Sequence, residues 1–209
     1  MNRCIVNVAT QRFVAGQQRL RAAFDETVLC WTNAYPPGSP QHHENPYAFK
    51  AWAIKAAKDA GFDLVLWADA CILPNGSLEP LWDRIEQRGY WISDNGFSNH
   101  QWTCKDAYPL LGITEEENKG IPHVVATTFG LNLKSGIGAM AFEQYLKFAQ
   151  NGAFRGPWAG GVGVQHRHDQ TALSVIAYRL GMELTKPPAW FSYRGGETEE
   201  TCLVADGAY

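Results

Sequence analysis

The chain has 209 residues, of which 45% are hydrophobic and 19% charged, and a net charge of −3. That length and balance fit one globular domain spanning residues 1–209 and exclude a collagenous, low-complexity or polyelectrolyte chain. The near-neutral charge gives no overall electrostatic footprint for nucleic acid, although a local basic groove is compatible with it.

Along the chain, apolar runs alternate with amphipathic segments. Residues 4–9 and 28–33 read as strands, with a helical stretch over 15–24 between them. Asn45-Pro46 predicts a helix start, an N-cap followed by proline at the first helical position. Phe49, Trp52, Ala53, Ala56 and Ala60 form the apolar stripe of that helix, and Gly61 its stop. Residues 64–72 read as one buried strand that carries an unexpected carboxylate, Asp69. Ser77 then caps a helix with Leu78, Leu81, Trp82 and Ile85 on one face and Gly89 behind it.

Residues 90–93 form a short strand. The polar stretch from 94 to about 122 holds Thr114-Glu115-Glu116-Glu117, a capping-box pattern. Residues 124–133 are strand-like and a helix follows over 139–149. Residues 152–163 are rich in glycine and aromatics and predict a long mobile loop. The last clear helix covers 170–180, and the tail beyond Pro187 predicts weak order. There is no internal repeat. This alternation argues for an α/β fold with a mostly parallel central sheet flanked by helices.

Five widely spaced cysteines without a Cys-x-x-Cys pair fit free thiols in a reducing compartment. The first residues lead into an apolar run too short for a signal peptide, and no later run is long enough to cross a bilayer, so a soluble, cytoplasmic protein is expected. Eight Trp and eight Tyr are many for this length. Several lie among amides and glycines, where they serve either as stacking surfaces or as core next to loops.

In open α/β sheets ligands gather at the carboxyl ends of strands. Three polar clusters follow strands here: Thr10-Gln11-Arg12 after Ala9, Asp69 between Trp67-Ala68 and Ala70-Cys71, and Asp94-Asn95-Gly96. No Gly-x-Gly-x-x-Gly follows the first strand, and neither a Walker loop nor a Gly-x-Ser-x-Gly elbow is present. A charge on an apolar strand is costly unless it is paired, solvated or bound to a cation.

Leu64-Val65-Leu66-Trp67-Ala68-Asp69-Ala70-Cys71 resembles the Asp-x-Asp strand of GT-A-type glycosyltransferases. His168-Asp169-Gln170-Thr171-Ala172-Leu173 resembles the Asp-Gln element that opens a late helix in them, and Lys50 stands where they place a basic residue beside the donor. Small bacteriophage glycosyltransferases, some of which decorate modified DNA bases, have the same look. The resemblance implies a nucleotide-sugar donor such as a UDP-sugar, a hydroxyl acceptor that could be hydroxymethylated DNA, and Mn²⁺ or Mg²⁺ on the diphosphate. Cys71 replaces the second acid, and a thiol is a poor ligand for a hard cation; His168 is the candidate to complete a metal site with Asp69.

The donor side then comprises Ala9, Thr10, Arg12, Lys50, Trp67, Asp69, Ala70, His166 and Arg167, and the acceptor side Asn95, Trp102 and Trp158. Asp169 and Asp94 are the candidate catalytic carboxylates, with Asp169 equally suited to cap its helix. Two alternatives share the nucleotide: a metal-dependent nucleotidyltransferase and a non-catalytic nucleotide- or sugar-binding module.

Overall fold

The computed structural model describes residues 1–207. In chain order its elements begin β1 (Arg3–Ala9), α1 (Val14–Ala23), β2 (Val28–Thr32), α2 (Phe49–Asp59), β3 (Leu64–Ala68), β4 (Ile72–Pro74) and α3 (Glu79–Arg88). Next come β5 (Tyr90–Trp91), β6 (Asp94–Ser98), α4 (Ala107–Leu111), α5 (Glu115–Lys119), β7 (Pro122–Val124) and β8 (Thr128–Asn132). The chain continues through α6 (Gly136–Asn151), α7 (His168–Arg179), β9 (Phe191–Tyr193) and β10 (Leu203–Ala205).

The central sheet has the order β2-β1-β3-β8-β5. β1 pairs in parallel with β2 and β3, and only β8 is reversed, antiparallel to both β3 and β5. The expected mostly parallel α/β sheet is therefore present. Side chains alternate across it with the two-residue strand period. Cys4, Val6, Val65 and Trp67 join a core under α2, α6 and α7, while Ile5, Leu64, Leu66 and Ala68 join one under α1 and α3. Helices thus cover both faces, as parallel strands require.

Five expectations need correction. The run 64–72 is two strands, because the chain turns at Asp69: its N–H donates to the Thr127 carbonyl (2.8 Å) and its own carbonyl accepts from Ile72 (2.9 Å). Similarly, 124–133 is not one strand: Val124 ends β7, and β8 starts only at Thr128. Asn45 caps nothing; its buried amide donates to the Ala149 carbonyl (2.7 Å), and α2 starts only at Phe49. The tail is ordered too, since β9 and β10 form a second sheet with β4 that buries Phe191 and Leu203 completely. Ser77 precedes the α3 N-cap by one residue but still accepts from the Glu79 N–H.

Among the described residues no helix is long and apolar enough to cross a membrane.

Candidate active site

The site begins where β3 stops. Two buried amides and a glycine, apparently unrelated in sequence, fix that point. Asn7 lies in the middle of apolar β1 and donates to the Ala68 carbonyl (2.6 Å), and Gln17 of α1 donates to Asn7 Oδ1 (2.7 Å). Gly16 lets α1 come close, since a Cβ there would sit 2.6 Å from the Ala70 carbonyl oxygen. Asp69 is thereby held at the carboxyl edge of the sheet. Its Oδ1 accepts from Trp67 Nε1 (2.8 Å).

Lys50, in the first turn of α2, meets it from the neighbouring helix. The ammonium lies 3.2 Å from Asp69 Oδ1 and 3.0 Å from Asp169 Oδ2, and donates to the Ala126 carbonyl (2.8 Å). Tyr145 Oη donates to the same Asp169 oxygen (3.3 Å). Burial would lower the Lys50 pKa, but Asp169 and Asp69 outweigh it and hold the ammonium above its usual range. Burial also raises both carboxyls above the usual carboxylate range, with Lys50 pulling the other way. The two acids are not equivalent. The Asp69 side chain is 27% exposed and that of Asp169 only 5%.

Two non-glycine residues at the starts of these helices have left-handed backbone: Tyr47 (φ 61°) before α2 and His168 (φ 51°) opening α7. Such conformations cost about 1–3 kcal/mol each and gather where geometry is dictated by a site. Their rings meet at a tilt, with centroids 5.5 Å apart.

Two hollows meet at Asp69. One, of about 490 Å³, is lined by Lys50, Asn95, Phe97, Trp102, Arg167 and Asp169, with β10 and Tyr193 closing a side. The other, of about 290 Å³, is lined by Thr10, Arg12, Phe13, Tyr35, His42 and Ala70. Tyr47, Asp69 and Trp158 belong to both. In the larger hollow the Arg167 guanidinium lies between two indoles, 4.5 Å from the Trp102 ring centre and 4.3 Å from that of Trp158. His123 stacks behind Trp102 and His168 behind Trp158. A cavity as large as the first opens at the amino-terminal ends of β1 and β2, where Arg3 pairs with Glu79. Ligands of open α/β sheets bind at the opposite edge, which favours the two hollows at Asp69.

No protein-family model matches the sequence, and no curated protein does. Solved structures do. Over its whole length the chain is similar to a glycosyltransferase involved in glycosylation of the major capsid of PBCV-1, with TM-score 0.56, 10% identity and 95% of that chain covered. Mouse xyloside xylosyltransferase 1 gives TM-score 0.52, 10% identity and 98% coverage. The bifunctional glycosyltransferase WbbM gives 0.57 at 10% identity, with 46% of that longer chain covered. The fold is that of the GT-A glycosyltransferases.

That fold family implies a divalent cation, and the residues present do not fit one. Hard cations take six or more oxygen ligands, or several carboxylate oxygens with waters. Here the second acid is the buried thiol Cys71. Lys50 already lies between the two carboxylates, and like charges about 4 Å apart repel by about 4 kcal/mol at an effective dielectric constant near 20. The His168 Nδ1–H donates to the Phe154 carbonyl (2.8 Å), and the residue is buried. Among the described residues, no three His, Cys, Asp or Glu side chains converge as metal ligands.

The other residues singled out in the sequence divide cleanly. Thr10, Arg12, Lys50, Asp69, Ala70, Asn95, Trp102, Trp158, Arg167 and Asp169 come together around the two hollows. Ala9, Trp67, Asp94, His166 and His168 do not line them. Ala9 and Trp67 are buried in the sheet, although Trp67 positions Asp69. Asp94 accepts from the Gly96 N–H in its own turn (2.8 Å). His166 is fully buried and donates from Nε2 to the Ala153 carbonyl (2.9 Å), so it is a packing residue. Asp169 lies inside the first turn of α7 and is not its N-cap, which is Arg167. Sequence reasoning passed over Asn7, Gln17 and Tyr145; a polar residue inside the apolar run 4–9 was the available signal.

Proposed function

We propose that this protein transfers a sugar from a nucleotide diphosphate to a hydroxyl acceptor. One observation carries the reading: on a glycosyltransferase fold, two hollows meet at one partly exposed carboxylate, Asp69, at the carboxyl edge of the sheet. The smaller hollow suits the nucleoside. Phe13 and Tyr35 offer faces to a base, and Thr10 and Arg12 offer polar groups to ribose or phosphate. The larger hollow takes the sugar and the acceptor, against Phe97, Trp102 and Trp158.

Asp69 touches both compartments, and its Oδ1 is fixed by Trp67 and Lys50. In this reading it accepts a hydrogen bond from a hydroxyl at the junction and is placed to take the acceptor's proton. Asp169, with its carboxylate engaged by Lys50 and Tyr145, is a positioning residue. The larger hollow has Arg167 and the paired Lys50 as its lining cations. A nucleic-acid strand is held by many phosphate contacts, so a sugar hydroxyl suits this lining better than a base in DNA.

Cys71 in place of a second acid favours one further reading, a module that binds the nucleotide sugar without turnover. Titration calorimetry with UDP, ADP, CDP, GDP and dTDP tests the donor site: binding of one of them is expected, and no binding up to millimolar ligand overturns it. Transfer or hydrolysis of the matching nucleotide sugar then separates enzyme from module.

A further inference from the structure

Resting on that donor reading, we infer that Lys50 occupies the acid pair where a metal-dependent site would hold an ion, that the Arg167 guanidinium meets the leaving diphosphate, and that this protein needs no divalent cation. In a metal-dependent site two carboxylates converge on an ion; here Asp69 and Asp169 converge on the Lys50 ammonium, at 3.2 and 3.0 Å. Lys50 is 2% exposed and further anchored by the Ala126 carbonyl, so it is a fixed charge. The first turn of a helix is a poor place for a cation on dipole grounds, and the two carboxylates supply what that position lacks.

With both acids ionised, Lys50 leaves the group of three with one excess negative charge, and its N–H groups face three acceptors, so a diphosphate needs a cation outside that group. Arg167 is that cation in the same hollow. Its guanidinium lies over the rings of both Trp102 and Trp158, contacts that hold it in place and partly desolvate it. Such a group carries N–H donors in the fork that phosphate oxygens accept, and ring contacts do not use up those donors. Arg167 and Lys50 line the same hollow as Asp69.

In the transfer itself the bond from the sugar anomeric carbon to the diphosphate oxygen breaks with its electron pair going to that oxygen. The acceptor oxygen bonds to the anomeric carbon, and its proton passes to Asp69 or to water. Arg167 then faces the charge that develops on the departing oxygen, with no ion to recruit.

The test uses titration calorimetry on the full chain. Each of the five nucleoside diphosphates is titrated in excess EDTA and again in millimolar MnCl₂, and MnCl₂ is titrated alone. The expected result is one nucleotide binding with the same affinity, within about threefold, in both buffers, with no saturable heat from Mn²⁺ alone. Arg167→Met should weaken that binding by about tenfold or more and Arg167→Lys by less, with unchanged circular dichroism and melting temperature showing that both variants fold. Binding that appears only with Mn²⁺, or that Mn²⁺ strengthens at least tenfold in the wild type but not in Asp69→Asn, overturns the inference while leaving the donor site standing. Arg167→Met binding as tightly as wild type overturns it as well. Absence of binding in both buffers overturns the donor reading and this inference with it.

Discussion

Lys50 is held by three acceptors in the interior of the protein, and removing it would leave two carboxylates facing each other without compensation. Breaking such a buried group by deleting one member costs about 3–5 kcal/mol. Lys50→Met should lower stability by that amount in urea denaturation, and adding Asp169→Asn should return part of it; an additive double mutant would mean that the two residues do not interact. The histidines give a second expectation. Burial holds His166 near a pKa of about 4, and neutral in the folded state, against 6.5 when unfolded. Between those values the unfolded chain binds more protons, so stability falls as pH is lowered through the window, by at most about 3 kcal/mol from this residue. Buried His123, lowered to about 3, acts in the same direction. Asp69 and Asp169, raised above the ordinary carboxylate value, act in the opposite one. His166→Gln keeps a donor for the Ala153 carbonyl and should flatten the change in urea midpoint between about pH 7 and pH 5; an unchanged slope would remove His166 as its source. In sequence His166 and His168 looked like ligands because they cluster with Arg167 and Asp169. Their carbonyl partners, Ala153 and Phe154, come from the far side of the loop, and no local pattern announces that pairing.

Elements were legible where the pattern is local. The helix stop at Gly89, in left-handed backbone, and the Thr114–Glu117 capping box are both present. Boundaries failed where a distant group competes. Asn45-Pro46 reads as a helix start, yet the Asn45 amide is taken by Ala149, 104 positions away, and the positive φ at Tyr47 delays α2. The delay matters, because it turns Lys50 inward with Phe49, Ala53 and Ala57 instead of toward solvent. The strand through Asp69 failed for a similar reason: an apolar run is continuous across β3 and β4, whereas the break is made by pairing with Thr127 and by α1 pressing on Ala70. Gly16 is the residue that permits this approach. Gly16→Ala should therefore push α1 and the Asp69 turn apart, cost about 1–3 kcal/mol as overpacking does, and weaken nucleotide binding. Thermal denaturation together with calorimetry would check it; a stable variant with full binding would place no constraint at that contact.

At the scale of the molecule, the site depends on the last twenty residues described, a stretch that the sequence marked as weakly ordered. Its Gly, Thr and Glu content suggests a loose tail, and the strands in it are only three residues long. Their partner is what gives them order. β10 pairs residue by residue with β4, Leu203 opposite Pro74 and Ala205 opposite Ile72, and β4 begins three residues after Asp69. The Asp206 N–H donates to the carbonyl of Cys71 inside the Asp69 turn (2.9 Å), and Tyr193 and Ala205 form a wall of the larger hollow. Phe191 and Leu203 are fully buried, and burying such a side chain contributes about 1.5–3 kcal/mol. Since whole domains are stable by only about 5–15 kcal/mol, truncation after Pro188 should do more than trim a terminus. It should lower the melting temperature sharply and abolish nucleotide binding, because the turn bearing Asp69 would lose its second support while Lys50 and Asp169 stay on their helices. Restoring the missing segment as a separate peptide should recover binding if its role is to pair with β4. A truncated chain that melts and binds like the full one would instead place the tail outside the site, and the cleft would then be complete with the central sheet and its helices alone.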